Sequence, residues 1–291
     1  MSASSADARI IDRGYRPYDG PRLGASGAIR SLMKHSAQRV MGLRRPLPNK
    51  ILPMLSAGIA YIPAIVFVGL AALITDDRVR NNFLPTYGQY YGFIVSALIV
   101  FASFVAPEAL CPDRRTGMLG LYLASPLTRA TYVLAKISAV LLLLAVATLG
   151  PPLLMMVANI LQSQGPDGPV GVVVLLIRVV ASGALVAAVY TAVSLGISSL
   201  TERRAIASAG VLLTILGTSA VVNVLVNGAG VGEWLYMFDL STAPFELVTR
   251  IYGEPRNLDA GILPFIVGNA FWVVLGTSTI WWRYRRIEVT R

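Results

Sequence analysis

The sequence predicts an all-α integral membrane protein that crosses the bilayer six times, and three observations carry that prediction. The 291 residues are 55% hydrophobic and only 14% charged, against roughly 25% charged in an ordinary soluble domain. The charges are clustered, so long neutral runs separate them, and an apolar stretch of 18 or more residues reads as a spanning helix. Lysine and arginine fall mostly on alternate connections, which is the signature of fixed orientation in a membrane.

The spans are expected at 51–74, 90–106, 136–161, 170–200, 205–226 and 261–282. Each is long enough to be a spanning helix across the roughly 30 Å hydrocarbon core, the second near the lower limit of about 17 residues. Pro151 and Pro152 interrupt the third, where lost backbone donors predict a kink. Arg178 lies inside the fourth. The organisation that follows is an N-terminal segment over 1–50, a spanning domain over 51–282 and a tail over 283–291. No apolar run near the start reads as a cleavable leader, so the first span is expected to direct insertion.

Orientation follows the cations. The N-terminal segment carries ten lysines and arginines, the second connection Arg114, Arg115, Arg129 and Lys136, the fourth Arg203 and Arg204, and the tail Arg283, Arg285, Arg286 and Arg291. The other connections hold Arg78, Arg80, Arg250 and Arg256. Both termini are therefore expected in the cytoplasm, with the protein in the plasma membrane. The net charge of +10 is accounted for by topology and by anionic lipid headgroups, without nucleic acid.

The connections differ in character. Residues 162–169 form a Gly/Pro-rich outer turn, and 201–204 form a turn so short that the fourth and fifth spans should be a hairpin. Residues 227–259 mix acids with Trp234, Tyr236, Phe238, Phe245 and Tyr252, which suits short helices at the outer interface. In the N-terminal segment, 12–22 reads as turns. From Ser26, a plausible N-cap, Ile29, Leu32, Met33, Val40 and Leu43 recur at helical spacing, with Arg30, Lys34 and Arg39 between them. A basic amphipathic helix before a span lies in the membrane interface. It serves as an anchor, or as an anchor that also touches a partner.

One cysteine, Cys111, and one histidine, His35, exclude an intrachain disulfide and the usual metal clusters, so no metal is expected. No Gly-x-x-x-x-Gly-Lys-Ser/Thr phosphate loop occurs, and no span holds the base and nucleophile of an intramembrane enzyme. A stand-alone secondary transporter, the alternative reading, predicts mid-membrane ionisable groups and repeated halves. Arg178 alone fits the first requirement, and no repeat is visible. Arg178 either snorkels or pairs between helices, or it lines a path together with the polar candidates Asn159, Tyr190, Asn223 and Asn269. Interhelical hydrogen bonds are the alternative for each of those four.

The segment 107–132 carries most information. Glu108, Asp113, Arg114 and Arg115 precede a turn at Gly117. A short apolar helix with Leu119, Leu121 and Leu123 follows, Ser125-Pro126 ends it, and Thr128 before Arg129 caps the next helix. By residue type this is a connector or a helix that docks in a partner's groove. The run Asp113-Arg114-Arg115, Gly117, Leu119, Leu121, Leu123, Ser125-Pro126-Leu127-Thr128-Arg129 and Lys136 resembles that of the membrane subunits of type-2 ATP-binding-cassette exporters. Met118 stands where that family commonly has Thr, and Gly120 where it commonly has Glu. The opening Asp12–Arg22 run is similar to that of actinobacterial permeases of this kind.

The resemblance covers the whole six-span layout and about 25 residues of motif. It implies a permease subunit of an exporter that moves an amphipathic, lipid-like or drug-like substrate. It further implies a cassette-type ATPase partner that binds ATP and Mg, a second permease subunit, and coupling to that ATPase through Asp113, Arg114, Arg115, Gly117, Leu119, Leu121, Leu123, Ser125, Pro126 and Arg129. This chain would hold no cofactor and would not be catalytic by itself.

Overall fold

A computed structural model describes residues 20, 23–43, 48–74, 76, 78, 82–255 and 258–287. The 12–22 run apart from Gly20, together with Arg44, Arg45, Arg80, Arg256 and Arg291, lies outside the described residues. Among the described residues there are nine α-helices and no strand. They are α1 Gly24–Val40, α2 Pro48–Leu73, α3 Tyr87–Arg115, α4 Met118–Ala124 and α5 Arg129–Leu161. After these come α6 Gly168–Ser198, α7 Arg204–Asn223, α8 Ala243–Tyr252 and α9 Ile262–Arg286. A π-turn, Val224–Gly228, extends α7, and a 3-10 helix, Glu233–Phe238, precedes α8. Six of these helices are long and apolar enough to cross a membrane, so the protein is a multi-pass membrane protein.

The helices start where local chemistry supplies caps. Thr86 accepts from Gln89 N–H and the Gln89 side chain returns the bond, a capping box that opens α3. Thr128 and Thr131 make the same reciprocal pair at the start of α5. Gly117, at φ +67°, makes the left-handed turn between α3 and α4, a conformation that costs glycine nothing.

Several expected boundaries move. The second span was expected to stop near residue 106, but α3 continues through Pro107 and Pro112 to Arg115. It can do so because its last turns are buried against α1, α5 and α7, where packing outweighs the missing donors. Thr128 caps the helix that leads into the third span, as expected, and α5 runs without a break from Arg129 through Lys136 to Leu161. Ser26 lies inside the first turn of α1, where its hydroxyl bonds back to Leu23 O, and Leu23 holds the N-cap position. Arg283, Arg285 and Arg286, expected in a tail, form the last turn of α9.

α3 is the central helix and buries most of its length, whereas α7 buries least. α2 and α5 wall one side, closed by Tyr61 Oη donating to Val146 O at 2.8 Å and by Tyr90 Oη bonding Ala60 O. α6 packs between α5 and α9. The α6–α9 crossing is tight: a Cβ on Gly276 would sit 2.2 Å from Ala192 O, and one on Gly196 3.0 Å from Gly276 Cα. Small residues permit such close approach of helices in a bilayer.

The hairpin of α6 and α7 has the expected short turn. The segment after it holds the 3-10 helix and α8, which pack onto α3, α6 and α9 at one end of the bundle. α1, α4, the α6–α7 turn and the C-terminus of α9 gather at the opposite end. That end carries Arg30, Lys34, Arg39, Arg114, Arg115, Arg129, Arg203 and Arg204, and is called the basic end below.

Candidate functional site

The basic end is organised around one buried carboxylate. Asp113, in the last turn of α3, is fully buried. Its Oδ1 receives Arg39 from α1 at 2.5 Å, and its Oδ2 receives Lys136 from α5 at 2.6 Å and the Tyr132 hydroxyl at 2.9 Å. Lys136 also donates to Ser36 Oγ of α1 at 2.9 Å, and Arg39 reaches the Glu108 and Ala109 carbonyls at 3.2 Å. A buried ion survives only when paired and hydrogen-bonded, and here α1 and α5 supply the partners of the carboxylate on α3. The apolar stripe of α1, with Leu32 and Val40 buried, therefore lies on α5 and α3, while Arg30 and Lys34 remain exposed.

Arg114 points the other way. It donates to Ser199 O at 2.6 Å and to Thr201 O at 3.2 Å, and pairs with Glu202 at 3.2 Å. It thus satisfies carbonyls at the C-terminus of α6, where orphan acceptors and a negative dipole end favour a cation. Arg129 does the same for α9 through Arg285 O at 2.8 Å. Glu108 pairs with Arg204 at 2.6 Å. The charged run was expected to include groups touching a partner. Asp113 and Arg114 instead face inward and fasten α1, α5 and the α6–α7 turn to α3. Arg115 is exposed.

α4 lies across this assembly. Leu119 is buried and Leu127 just beyond it is buried, whereas Leu121 is 65% exposed and Met118, Ser125 and Pro126 are also exposed. Leu123 is half-buried. Tyr122 turns inward, its ring 5.8 Å from that of Tyr132, which lies 5.6 Å from Tyr284 on α9. The Lys136 ammonium is 5.9 Å from the Tyr122 ring and 5.5 Å from that of Tyr132, close enough for cation–π attraction. Burial, and then the Asp113 carboxylate, raise the Tyr122 phenol above its ordinary range. α4 is thus in contact with the ion cluster on one face and bare on the other. Sequence reading missed Tyr122, Tyr132 and Ser36. The signal was Lys136 itself, since a cation in the first turns of an apolar helix requires an anion and further donors or acceptors around it.

The polar candidates of the spans divide into two groups at the opposite end. Arg178 donates to Tyr252 O at 3.0 Å, at the C-terminus of α8, and Asn159 donates to Tyr87 Oη at 3.0 Å. Both line a cavity of about 470 Å³ with Thr86, Gln164 and Glu254. Asn223, bonded to Ser219 O and Tyr236 Oη, lines a neighbouring cavity of about 450 Å³ that also contains Glu254. Glu254 accepts from Gly88 N–H at 2.8 Å and lies between the two. Tyr190 and Asn269 line neither cavity. They are buried struts, Tyr190 donating to Leu240 O at 3.1 Å and Asn269 to Ala243 O at 3.1 Å and Phe265 O at 2.7 Å. They hold the segment before α8 to α6 and α9.

Among the described residues no group of three His, Cys, Asp or Glu is placed to hold a metal ion. The described residues form a body of six helices able to cross a membrane, whose basic end carries a short helix with one buried and one bare face, and that defines a membrane component. The chain belongs to the family described as ABC-2 family transporter protein, which matches residues 23–235. No curated protein matches it. Membership makes the chain the permease component of an ATP-binding-cassette transporter, a class that operates with a partner ATPase subunit.

Proposed function

We propose that this permease is the transmembrane subunit of an exporter for an amphipathic substrate and that α4 is its coupling helix. One observation carries the reading: Leu121 and Met118 stand bare on α4 while Tyr122, one residue along, rests against the Tyr132–Lys136–Asp113 cluster. A bare apolar face on a short helix fits a groove in a partner. The partner ATPase binds ATP and Mg, grips Leu121 and Met118, and displaces α4. Tyr122 passes the displacement to Tyr132 and Lys136, and the Arg39–Asp113–Lys136 cluster carries it to α1, α3 and α5 together. Packed helices respond to such a push by shifting between arrangements rather than deforming gradually. A second permease subunit completes the path, and the basic end faces the cytoplasm.

The test pairs the chain with its cassette ATPase in proteoliposomes. Leu121→Asp should lose stimulation of ATP hydrolysis and copurification of the ATPase while retaining wild-type thermal stability. Removing residues 119–125 should uncouple hydrolysis from transport. Unchanged coupling in both variants rules out α4 as the contact. A stand-alone secondary transporter, by contrast, would retain flux without any ATPase.

A further inference from the structure

A second feature of the basic end has no part in that coupling scheme. Between the C-terminal half of α3 and the start of α7 lies an open groove of about 1020 Å³. Arg115, Glu202, Arg203 and Arg204 stand at its mouth, and Phe104, Ala209 and Leu212 form its wall. The charges at the mouth do not cancel. Glu202 pairs with Arg114 and Arg204 with Glu108, and among the described residues Arg115 and Arg203 have no carboxylate partner.

Two further elements point to an anion. The first turn of α7 opens on the groove, its N-cap Arg203 supplies no side-chain cap, and free N–H groups with a positive dipole end favour negative charge. Ser208 lines the same groove one turn deeper. It is 6% exposed, and its hydroxyl has no hydrogen-bond partner among the described residues. A buried hydroxyl left unpaired is costly unless a ligand meets it.

The wall decides what carries the anion. Phe104 precedes Arg115 by eleven residues on α3, about 16 Å along the helix, and Leu212 lies two turns into α7. Apolar surface therefore continues from the arginines toward the middle of the span, along the direction of an acyl chain. A free phosphate has no use for that surface, whereas a phospholipid covers it. We infer that this groove binds an anionic glycerophospholipid, with its phosphodiester between Arg115, Arg203 and Ser208 and a chain along Phe104 and Leu212. The assignment is independent of α4 and of the ATPase, and the lipid is a resident of the groove whether or not it is ever transported.

Native mass spectrometry of the detergent-solubilised chain tests it, with phosphatidylglycerol as the probe. The expected result is saturable retention of one phosphatidylglycerol per chain, no retention of diacylglycerol with the same tails, and no displacement by millimolar inorganic phosphate. Neutralising two basic contacts in Arg115→Gln/Arg203→Gln should weaken retention at least about tenfold. Arg30→Gln/Lys34→Gln, on the exposed face of α1, should not. Ser208→Leu fills the groove from its floor and should also lower retention, which keeps the test decisive if the double variant fails to fold; gel filtration and thermal unfolding report folding in each case. Equal loss in the two charge variants would mean general surface attraction and overturn the site. Retention of diacylglycerol, displacement by phosphate, or a groove closed by a second copy that excludes the lipid would overturn it as well.

Discussion

Arg39 and Asp113 meet at 2.5 Å across 74 residues of chain, joining the amphipathic helix α1 to the end of α3. Lys136 closes the cluster from α5 at 2.6 Å, so one carboxylate serves two cations from two helices. Two cations sharing one buried anion depend on it completely. Asp113→Asn should therefore destabilise the protein by about 3–5 kcal/mol, the usual cost of leaving a buried charge uncompensated. The expected outcome is a marked fall in thermal unfolding temperature in detergent, with faster amide exchange in α1. Asp113→Asn combined with Lys136→Met should recover part of that loss, because it removes one of the stranded charges. An additive double variant would show that the two residues act separately.

Arg114 supports a second prediction. Its guanidinium holds Ser199 O and Thr201 O, and hydrogen bonds from a charged donor contribute about 1.5–3 kcal/mol each at most. Arg114→Gln should loosen the α6–α7 turn, seen as faster hydrogen exchange over residues 198–204 with little change elsewhere. Glu202→Gln should change almost nothing. Its side chain is 58% exposed, and exposed ion pairs contribute from nothing to about 1 kcal/mol. Equal effects of the two substitutions would assign the anchoring to the ion pair instead of the carbonyls.

These two residues also mark how far the sequence could be read. The six spans, the hairpin turn, the turn at Gly117 and the end of α4 before Pro126 follow from hydropathy and local chemistry, and all are present. Charge placement predicted a basic end, and Arg39, Arg114 and Arg129 stand there. What could not be read was direction. A charged run at a helix end looks the same whether its side chains face a partner or fold inward, because burial of Asp113 depends on Lys136 and Arg39 arriving from distant helices. Tyr190 and Asn269 were hidden for the same reason: a polar residue in a span looks alike as a path lining and as a strut to a backbone carbonyl. Pro107 misled the second boundary, since proline marks helix ends locally while tertiary packing carries α3 through it.

The α6–α9 crossing gives a prediction about packing. A Cβ at Gly276 would come within 2.2 Å of Ala192 O and 2.4 Å of Ala192 C. Those are backbone atoms, which cannot rotate away as a side chain can. Gly276→Ala should force α6 and α9 apart and destabilise by about 1–3 kcal/mol, the range seen for overpacking. Gly217→Ala is the matched control, because nothing lies within 4 Å of the added methyl. There the gain in helix propensity, about 0.5–1 kcal/mol, should leave stability unchanged or slightly raised. Unfolding temperatures of the two variants decide between them, and a tolerant Gly276 would mean the helices cross farther apart.

Orientation is open to a chemical test because the only cysteine is inaccessible. Cys111 is 1% exposed and directs its thiol at Ser198 O and Thr201 O, so it should resist a membrane-impermeant maleimide in the native protein. That leaves a silent background for single introduced cysteines. Ser125, exposed just after α4, and Gly230, exposed beyond α7, lie at opposite ends of the bundle. If the basic end faces the cytoplasm, as proposed from the arginine distribution, Ser125→Cys should label in inside-out vesicles and stay unlabelled in intact cells. Gly230→Cys should show the reverse pattern. Labelling of Ser125→Cys from outside would place α4 beyond the reach of any intracellular ATPase, and the coupling role assigned to Leu121 would fail with it.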